Sequence, residues 1–310
     1  MMTKPELTIG LPVYNGGAHL AAALDSLLSQ SFGDFVLLIS DNASSDDTSS
    51  ICQAAAARDS RIVYVRQPEN IGIFANFRFV LERAETPLFM WAAHDDHWHE
   101  HFVDKNLALL KADPRAVASI SRVAFHTHGV LAFRSASTYP LQGSVKQNLR
   151  RFWRFPADAS RFYAIHRTDV LRQCTPVIPP YHAYDWLVVA LTLLHGHYLE
   201  VPEVLMWRKA PEPDRYLKQV GRDNSALLLR IFPLLPISYY AIKFLKWRNL
   251  PAYFGALLRL NLSNHQSYVA FVLKRYPRFF HPLRWIFRTS GLRRVFYRWK
   301  QHPKDVTPSP

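Results

Sequence analysis

Residues 87–98 read PLFMWAAHDDHW, and this stretch decides how the chain is organised. Its opening apolar run predicts a buried β-strand over Pro87–Ala93. Asp95 and Asp96 follow where that strand ends. Two adjacent carboxylates in such a position are suited to a hard divalent cation, which in turn holds phosphate oxygens. A solvated turn is the alternative for an Asp-Asp pair, so the sequence on either side has to distinguish the two.

Three more strands are predicted ahead of this stretch, over Leu7–Val13, Phe35–Ser40 and Arg61–Arg66. Segments with apolar residues at helical spacing separate them, so four strands alternate with three helices. This alternation is a βαβ series and predicts a parallel sheet with right-handed crossovers. The expected fold class is therefore α/β, with a mostly parallel central sheet flanked by helices.

Polar residues stand at the ends of these strands. Tyr14 follows the first strand, Asp41 the second, and the Asp95-Asp96 pair the fourth. Because ligands bind beyond the carboxyl ends of parallel strands, these side chains are expected to converge on a functional site. The sequence contains neither Gly-x-Gly-x-x-Gly after the first strand nor Gly-x-x-x-x-Gly-Lys-Ser/Thr. A dinucleotide-binding domain and a P-loop domain are thus unsupported, and a bound nucleotide would need a metal to hold its phosphates.

Composition bounds the class of protein. The chain has 310 residues, of which 49% are hydrophobic and 14% aromatic, so it can build a large core. Cys52 and Cys174 are its only cysteines, which argues against a disulfide framework or a structural zinc site and fits a reducing compartment. The N-terminal residues enter a strand pattern without a long apolar leader, so we expect the catalytic part to be cytoplasmic.

Four short motifs, taken together, are similar to those of family 2 glycosyltransferases, which are inverting enzymes of the GT-A fold that use nucleotide-sugar donors. The motifs occur in the order and spacing of that family, and the resemblance covers roughly residues 5–208. They are Pro12-Val13-Tyr14-Asn15, Asp41-Asn42-Ala43-Ser44-Ser45-Asp46-Asp47-Thr48, Asn70-Ile71-Gly72 and Asp95-Asp96.

The resemblance implies a role for each matching residue. Pro12 and Tyr14 would line the nucleobase pocket, and Asp41 would accept a hydrogen bond from the base. Asp95 would contact the ribose, and Asp96 would be the principal ligand of a divalent cation, Mg²⁺ or Mn²⁺. The full set expected to bind the nucleotide-sugar is Pro12, Tyr14, Asn15, Asp41, Asn70, Gly72 and Asp95. Many relatives carry an acid where this chain has His94.

A second acidic feature is Asp185, which precedes a predicted helix with Leu187, Leu191 and Leu194 on one face. A helix N-terminus stabilises a carboxylate and fixes its direction, although the same position suits an ordinary first-turn acid. By resemblance Asp185 would be the catalytic base, where relatives usually carry two acids and this chain has Tyr184 before it. Arg208 and Lys209 are expected either to hold the leaving phosphates or to be a solvated strand end.

Two alternative functions stay open. The histidines at positions 94, 97, 99 and 101 are suited to zinc or another first-row metal, as in a metallohydrolase. The histidine at position 94 and the missing partner of Asp185 are equally compatible with an inactive relative that serves as a binding or scaffold subunit. Ala116–Ile120 is predicted to be a strand, the chain after it is expected to be irregular up to residue 160, and Arg161–Arg167 is predicted to form a strand.

The last hundred residues differ from the rest of the chain. Residues 211–310 hold 18 basic and 4 acidic side chains, which accounts for the whole net charge of +14. We therefore divide the chain into a catalytic domain, residues 1–210, and a basic, aromatic, mainly helical region, residues 211–310. None of its apolar runs reaches the roughly 20 residues of a spanning helix. Interleaved aromatic and basic residues, most densely from Phe280 to Trp299, favour an anionic membrane surface over nucleic acid. The alternative is a helical subdomain that packs its aromatic residues on the catalytic domain.

The sequence thus predicts a peripheral membrane glycosyltransferase at the cytoplasmic face. It would transfer a sugar, with inversion, from a nucleotide-diphosphate donor to a hydroxyl of a glycan or lipid-linked acceptor. A role in cell-surface polysaccharide synthesis is expected.

Overall fold

A computed structural model describes residues 5–127, 129–179, 181–211, 229 and 232–275 of the chain. The aromatic and basic residues from Phe280 to Trp299, which carried the strongest membrane prediction, lie outside these ranges.

Nine strands within the described ranges form one mixed sheet, in the spatial order β3-β2-β1-β4-β8-β6-β9-β5, with β7 paired to β6 beside that path. Their bounds are β1 Leu7–Val13, β2 Phe35–Asp41, β3 Ile62–Arg66, β4 Leu88–Trp91, β5 His97–Trp98, β6 Ala116–Thr127, β7 Val130–Arg134, β8 Ile165–Arg167 and β9 His197–Lys209.

Nine α-helices are described alongside the sheet. They are α1 Gly17–Leu28, α2 Thr48–Arg58, α3 Ile73–Glu82, α4 Phe102–Ala112, α5 Val145–Arg154, α6 Thr168–Gln173, α7 Tyr184–Thr192, α8 Leu235–Phe244 and α9 Leu250–Arg275.

The first four strands confirm the predicted βαβ series. Strand β1 pairs in parallel with β2 on one side and β4 on the other, and β2 pairs in parallel with β3. Every residue of β1 is buried, as expected of a central strand covered by helices on both faces. The carboxyl ends of β1, β2 and β4 therefore lie at one edge, where the polar residues of the predicted site begin.

The other half of the sheet is mixed rather than parallel. Strand β8 runs antiparallel to both β4 and β6, whereas β9 runs parallel to β6. His97 and Trp98, interpreted from sequence as part of a loop, form the short strand β5 opposite Trp207 and Met206 of β9. This pairing carries the end of β9 to the turn that contains Asp95 and Asp96.

Three local expectations were wrong. Strand β4 ends at Trp91, because after Ala92 the chain turns, with the Asp96 N–H donating to the Ala93 carbonyl. The chain from residue 121 to 160 is not irregular: β6 continues to Thr127, and β7 and α5 follow, with a reciprocal capping box between Ser144 and Gln147 at the start of α5. Within the predicted strand Arg161–Arg167, the first residues form a 3₁₀ turn, Ser160–Tyr163.

Helices α8 and α9 pack onto the catalytic sheet's outer helices, α8 against α7 and α9 against α5. None of the described helices is long and apolar enough to cross a membrane. The division of the chain at residue 210 stays a prediction.

Candidate active site

The loop after β1 is fastened to the loop after β2. Asn15 adopts a left-handed backbone conformation (φ 50°), and its N–H donates to Ser44 Oγ at 2.9 Å. In return the Ser45 N–H donates to Asn15 Oδ1 at 2.9 Å. This reciprocal pair leaves the neighbouring Tyr14 ring 47% exposed at the strand end. Asn15 thus holds Tyr14 at the site edge, while Pro12 is buried in β1 opposite Ser40.

Asp41, at the end of β2, is fully buried. Its carboxylate accepts from the Ser44 N–H at 2.9 Å, from the Tyr64 hydroxyl at 2.9 Å and from Arg66 Nη1 at 3.1 Å. Arg66, with 44% of its side chain exposed, covers the carboxylate. The Asp41 carboxylate thus already accepts from three donors of the protein, and its predicted contact with a base stays a prediction.

A second network ties the β3–α3 loop to β2. Asn42 Nδ2 donates to Asn70 Oδ1 at 2.9 Å, and the Ile71 N–H donates to Asn42 Oδ1 at 2.9 Å. Asn70 Oδ1 also accepts from the Gly72 N–H. Gly72 has a φ of 85°, a conformation that glycine adopts without strain, and directly precedes helix α3. The Asn70-Ile71-Gly72 motif therefore shapes a backbone loop beside the predicted base pocket.

His94 joins the acidic turn to the first loop. Its ring lies so close to Gly16 that a β-carbon built there would be 3.0 Å from His94 Cδ2. Burial lowers the pKa of His94, against the opposing influence of Asp95, so the ring is neutral at pH 7. His94 is accordingly a packing residue between two loops, a role that the sequence did not reveal.

Asp96 forms a buried ion pair with Arg208. Arg208 Nε donates to Asp96 Oδ2 at 3.2 Å, and the two side chains are 15% and 3% exposed, respectively. Burial raises the pKa of Asp96 to about 6 although Arg208 lowers it. The expectation that Arg208 is a solvated strand end is wrong, because the paired strands β5 and β9 carry it inward. Lys209 is exposed.

Tyr163 lies at the centre of these charges. The Arg208 guanidinium sits over its ring, 4.3 Å from the centroid. Burial raises the pKa of Tyr163 to about 12; Arg208 lowers it, and Asp96, Asp185 and Asp95 each raise it. Arg208 pairs with Asp96, and helix α7, which carries Asp185, packs on the turn Ser160–Tyr163. The fold therefore brings both predicted acidic features, 90 residues apart in sequence, near one tyrosine.

Asp185 occupies the first turn of α7, and the N–H of Trp186 donates to its Oδ1 at 2.9 Å. Burial raises its pKa to about 6, while the Trp186 N–H and the Arg208 charge lower it. A carboxylate with a pKa just below the working pH is ionised yet basic enough to accept a proton. The residue before the helix, Ala183, has a left-handed φ of 63°, which sets the entry angle of the chain.

Asp158 positions the guanidinium of Arg208 from the other side. Its backbone carbonyl accepts from Arg208 Nη1 at 3.3 Å. Its carboxylate Oδ1 accepts from the hydroxyls of Ser135, Ser137 and Ser160. Because these serines come from the β7 end and the 3₁₀ turn, the loop that carries Asp158 is anchored at both sides.

The described residues contain no group of three His, Cys, Asp or Glu side chains that could hold a metal ion. His97 and His99 instead pack near the Trp207 ring, and His99 lies 5.5 Å from His101 between centroids. This gives the metallohydrolase alternative no support. Asp95 and Asp96 are the carboxylates that would hold Mg²⁺ or Mn²⁺, ions that are commonly bound through one or two carboxylates while substrate phosphates complete the coordination. Because Asp96 is buried and paired with Arg208, this metal site stays a prediction.

Sequence reasoning missed Tyr163, Asp158 and Arg66 and left Arg208 undecided. Tyr163 and Asp158 lie in a region without a recognisable motif. For Arg208 the sequence did contain a signal, because the apolar residues Val204–Trp207 directly before it are typical of a strand. Its burial, however, depends on which strand lies beside it.

Comparison with known proteins identifies the family of this chain. The model of the family described as "Glycosyl transferase family 2" matches residues 8–173, more than half of the chain. This chain belongs to glycosyl transferase family 2. The match includes Tyr14, Asp41 and Asp96 but ends before Asp185 and Arg208, so the roles of those two stay predictions.

Among curated relatives of this family 2 chain, an uncharacterized glycosyltransferase of Rickettsia prowazekii is 26% identical over 177 residues, 57% of this chain and 51% of the relative. TuaG of Bacillus subtilis, whose name assigns it to teichuronic acid biosynthesis, is 30% identical over 107 residues, 34% of this chain and 42% of TuaG. The chain thus spans about half the length, or less, of these relatives.

Among solved structures, residues 1–349 of S. aureus TarS in complex with UDP-GlcNAc superpose with a TM-score of 0.55 at 15% identity, covering 81% of this chain and 79% of that one. At this identity the likeness shows the fold, which is that of GT-A glycosyltransferases.

Proposed function

We propose that this protein transfers a sugar from a nucleotide-diphosphate donor to an acceptor hydroxyl with inversion. The observation that carries the proposal is the arrangement near Tyr163: Arg208 lies over its ring and pairs with Asp96, and helix α7, which carries Asp185, packs on the turn Ser160–Tyr163. Membership of family 2 indicates the class of reaction. This cluster supplies a proton-accepting carboxylate and a guanidinium cation within one site.

The nucleoside end of the donor would lie along the ends of β1 to β3. Tyr14 is exposed there and offers a ring face for stacking on the base. Arg66 and Asp41, which are paired with each other, would offer a donor and an acceptor to the base, and the exposed Asn70–Gly72 segment would lie beside it. Asp95, partly exposed beside buried Asp96, would contact the ribose.

Asp185 would act as the general base. As the acceptor oxygen attacks the anomeric carbon, its proton passes to the Asp185 carboxylate, and the bond from that carbon to the diphosphate oxygen breaks. One displacement on the face opposite the leaving group inverts the configuration. The first turn of α7 fixes the direction of the carboxylate, and burial raises its pKa to about 6, which favours proton acceptance at neutral pH.

Arg208 would stabilise negative charge that develops on the departing diphosphate. The guanidinium is already oriented by Asp96, the Asp158 carbonyl and the Tyr163 ring, so it requires little reorganisation during the reaction. A divalent cation on Asp96, Mg²⁺ or Mn²⁺, would neutralise further charge on the same phosphates.

A glycan or lipid-linked acceptor in cell-surface polysaccharide synthesis is the substrate class we propose, in keeping with the teichuronic acid role named for TuaG. The net positive charge of residues 211–310 supports association with an anionic membrane on the cytoplasmic face. The acceptor would then be presented at the surface to which the enzyme is bound.

Donor consumption measured over a panel of nucleotide-sugars with Mn²⁺ tests the proposal. Asp185→Asn and Asp96→Asn should each lower turnover by at least about 100-fold, the scale of general-base and charge-stabilising contributions. Asp169→Asn is the matched control, because Asp169 occupies the same first-turn position in α6 but is exposed. Donor binding without turnover in the unmodified protein would instead identify an inactive, donor-binding relative.

A further inference from the structure

Helices α8 and α9 form an antiparallel hairpin. Asn261 Nδ2 of α9 donates to Ser238 Oγ of α8 at 2.8 Å, and the Tyr253 hydroxyl donates to the Ala241 carbonyl at 3.4 Å. The later residue of α8 therefore contacts the earlier residue of α9, so the helices run in opposite directions. The 3₁₀ turn Trp247–Asn249 connects them.

Large apolar residues of this hairpin are exposed on one side. Each of them directly follows a residue that is buried or that contacts the other helix. Successive side chains of an α-helix are about 100° apart around the helix axis. Both helices are right-handed and they run antiparallel. The side chain that follows a contact residue therefore points to the same side of the hairpin in each helix. The exposed apolar residues are Tyr239 (60% exposed), Ile242 (39%), Phe254 (51%), Leu258 (52%) and Leu262 (49%).

The charge around this face has a single sign. Between residues 232 and 262 the sequence holds four basic residues and no Asp or Glu. All four are exposed: Lys243, Lys246, Arg248 and Arg259. Trp247, at the tip of the hairpin, is 83% exposed. Exposed aliphatic and aromatic side chains bordered by cations match the interfacial region of an anionic bilayer, where tryptophan and tyrosine also concentrate.

We infer that the exposed face of the α8–α9 hairpin docks on an anionic lipid surface, with Trp247, Phe254 and Leu258 entering the headgroup region and the four cations meeting lipid phosphates. This inference rests on the proposed membrane location and deepens it by assigning the surface. The cations favour lipid over a purely apolar occupant, such as a second copy of the same face, which would oppose like charges.

The hairpin also connects this surface to the site. Helix α8 packs on α7, and the rings of Tyr181 and Tyr240 lie 5.9 Å apart between centroids. Asp185 is in the first turn of α7. Docking would therefore hold the proposed base one helix layer from the membrane, within reach of an acceptor hydroxyl carried by a lipid.

Vesicle co-sedimentation of the full chain tests the inference. We expect binding to vesicles with about one-third phosphatidylglycerol and none to phosphatidylcholine alone. The double variants Phe254→Ser/Leu258→Ser and Lys243→Glu/Lys246→Glu should each weaken binding by at least about tenfold. Matched controls on other surfaces are Val130→Ser/Leu131→Ser, at exposed apolar positions of β7, and Arg58→Glu/Arg83→Glu.

Thermal unfolding checks that every variant is folded, and the position of Trp247 gives an independent readout. Brominated lipids should quench part of the fluorescence of the wild type, and that part should be lost in Trp247→Phe. Absence of binding by the wild type, or hairpin variants that bind as the wild type does, overturns the inference. Dimers abolished by the hairpin substitutions would likewise assign the face to a second copy.

Failure of this inference and failure of the proposed function give different results. Hairpin variants keep the hydrolysis of soluble donor if the inference is right, because the substituted residues lie outside the cluster around Tyr163. A wild type that binds vesicles but consumes no donor contradicts the proposed function alone.

Discussion

Replacing Asp185 by Asn should stabilise the protein while abolishing its activity. Burial raises the pKa of Asp185 from 3.8 to about 6. Each pKa unit corresponds to about 1.4 kcal/mol, so ionising this carboxyl in the folded state costs about 3 kcal/mol. Partial exposure of the side chain and the lost attraction to the α7 N-terminus, about 0.3–1 kcal/mol, reduce the net gain. We expect Asp185→Asn to raise the free energy of unfolding by about 1–2 kcal/mol at pH 8.

The sign of the effect depends on pH in a defined window. The unfolded chain loses the Asp185 proton near pH 3.8, whereas the folded chain keeps it until about pH 6. Between these values the folded state binds more protons, so wild-type stability falls as pH rises and then stays lowered. Asn has no proton to lose. The stability difference between variant and wild type should therefore be near zero or slightly negative at pH 4, grow between pH 4 and 6, and be constant above.

Urea unfolding at pH 4, 5, 6 and 8, followed by tryptophan fluorescence, measures this difference. Asp169→Asn is the control: Asp169 stands at the same helix position but is exposed, so its loss should destabilise the protein slightly. Two results would refute the assignment of Asp185 as a buried carboxylate whose ionised form destabilises the fold. The variant Asp185→Asn could be less stable than the wild type at pH 8, or the difference in free energy of unfolding could be the same at pH 4 and pH 8.

Three further predictions concern the same half of the molecule. Arg208→Met leaves Asp96 buried without its cation, so it should lower the free energy of unfolding by about 3–5 kcal/mol at pH 8. The loss should be smaller at pH 5, where Asp96 is protonated. Urea unfolding at both pH values measures this. Burial lowers the pKa of His166 to about 4, so the folded state resists a proton that the unfolded state takes up near 6.5. Wild-type stability should fall as pH drops from about 6.5 to 4, and His166→Phe should lessen this fall by up to about 3 kcal/mol. Phe162 stacks on Trp91 at 4.1 Å with an interplanar angle of 4°, and Phe162→Ala should cost about 3–5 kcal/mol.

Each of these has a matched control. Arg115→Met removes an arginine whose ion pair with Asp113 is exposed, and should change stability by less than about 1 kcal/mol. His195→Phe replaces an exposed histidine and should leave the acid sensitivity unchanged. Phe133→Ala removes a phenylalanine that also stacks, on Phe125, but is 43% exposed, so its cost should be clearly smaller than that of Phe162→Ala. If a test substitution and its control changed stability by the same amount, the structural reason given for that test substitution would be contradicted.

Much of the first half of the fold was predictable from local pattern. Strand β1 was predicted with its observed bounds, because a central parallel strand is apolar throughout and ends at a recognisable break, Tyr14-Asn15-Gly16. The order of motifs likewise placed Asp41 at the end of β2 and Asp96 in the turn that follows β4. These features are local, and a sequence expresses them directly.

The second half of the sheet was not predictable in the same way. Whether β8 pairs antiparallel with β4, and whether β9 lies beside β5, depends on contacts between residues about 80 to 110 positions apart. A pattern of apolar residues specifies that a segment is a strand but not which neighbour it takes. Arg208 was undecided for this reason: an arginine at a strand end is solvated or buried according to its neighbours.

The acidic turn at residues 94–96 shows which features follow from local sequence and which depend on long-range contacts. The sequence alone predicts two carboxylates shortly after a buried strand, at the edge where parallel sheets bind their ligands. Tertiary contacts determine that Asp96 pairs with Arg208, that His94 packs on Gly16, and that α7, which carries Asp185, packs on the turn Ser160–Tyr163. The physical reason is that pairing and burial are properties of side chains brought together by long-range strand contacts, whereas the strand and the turn are specified by adjacent residues.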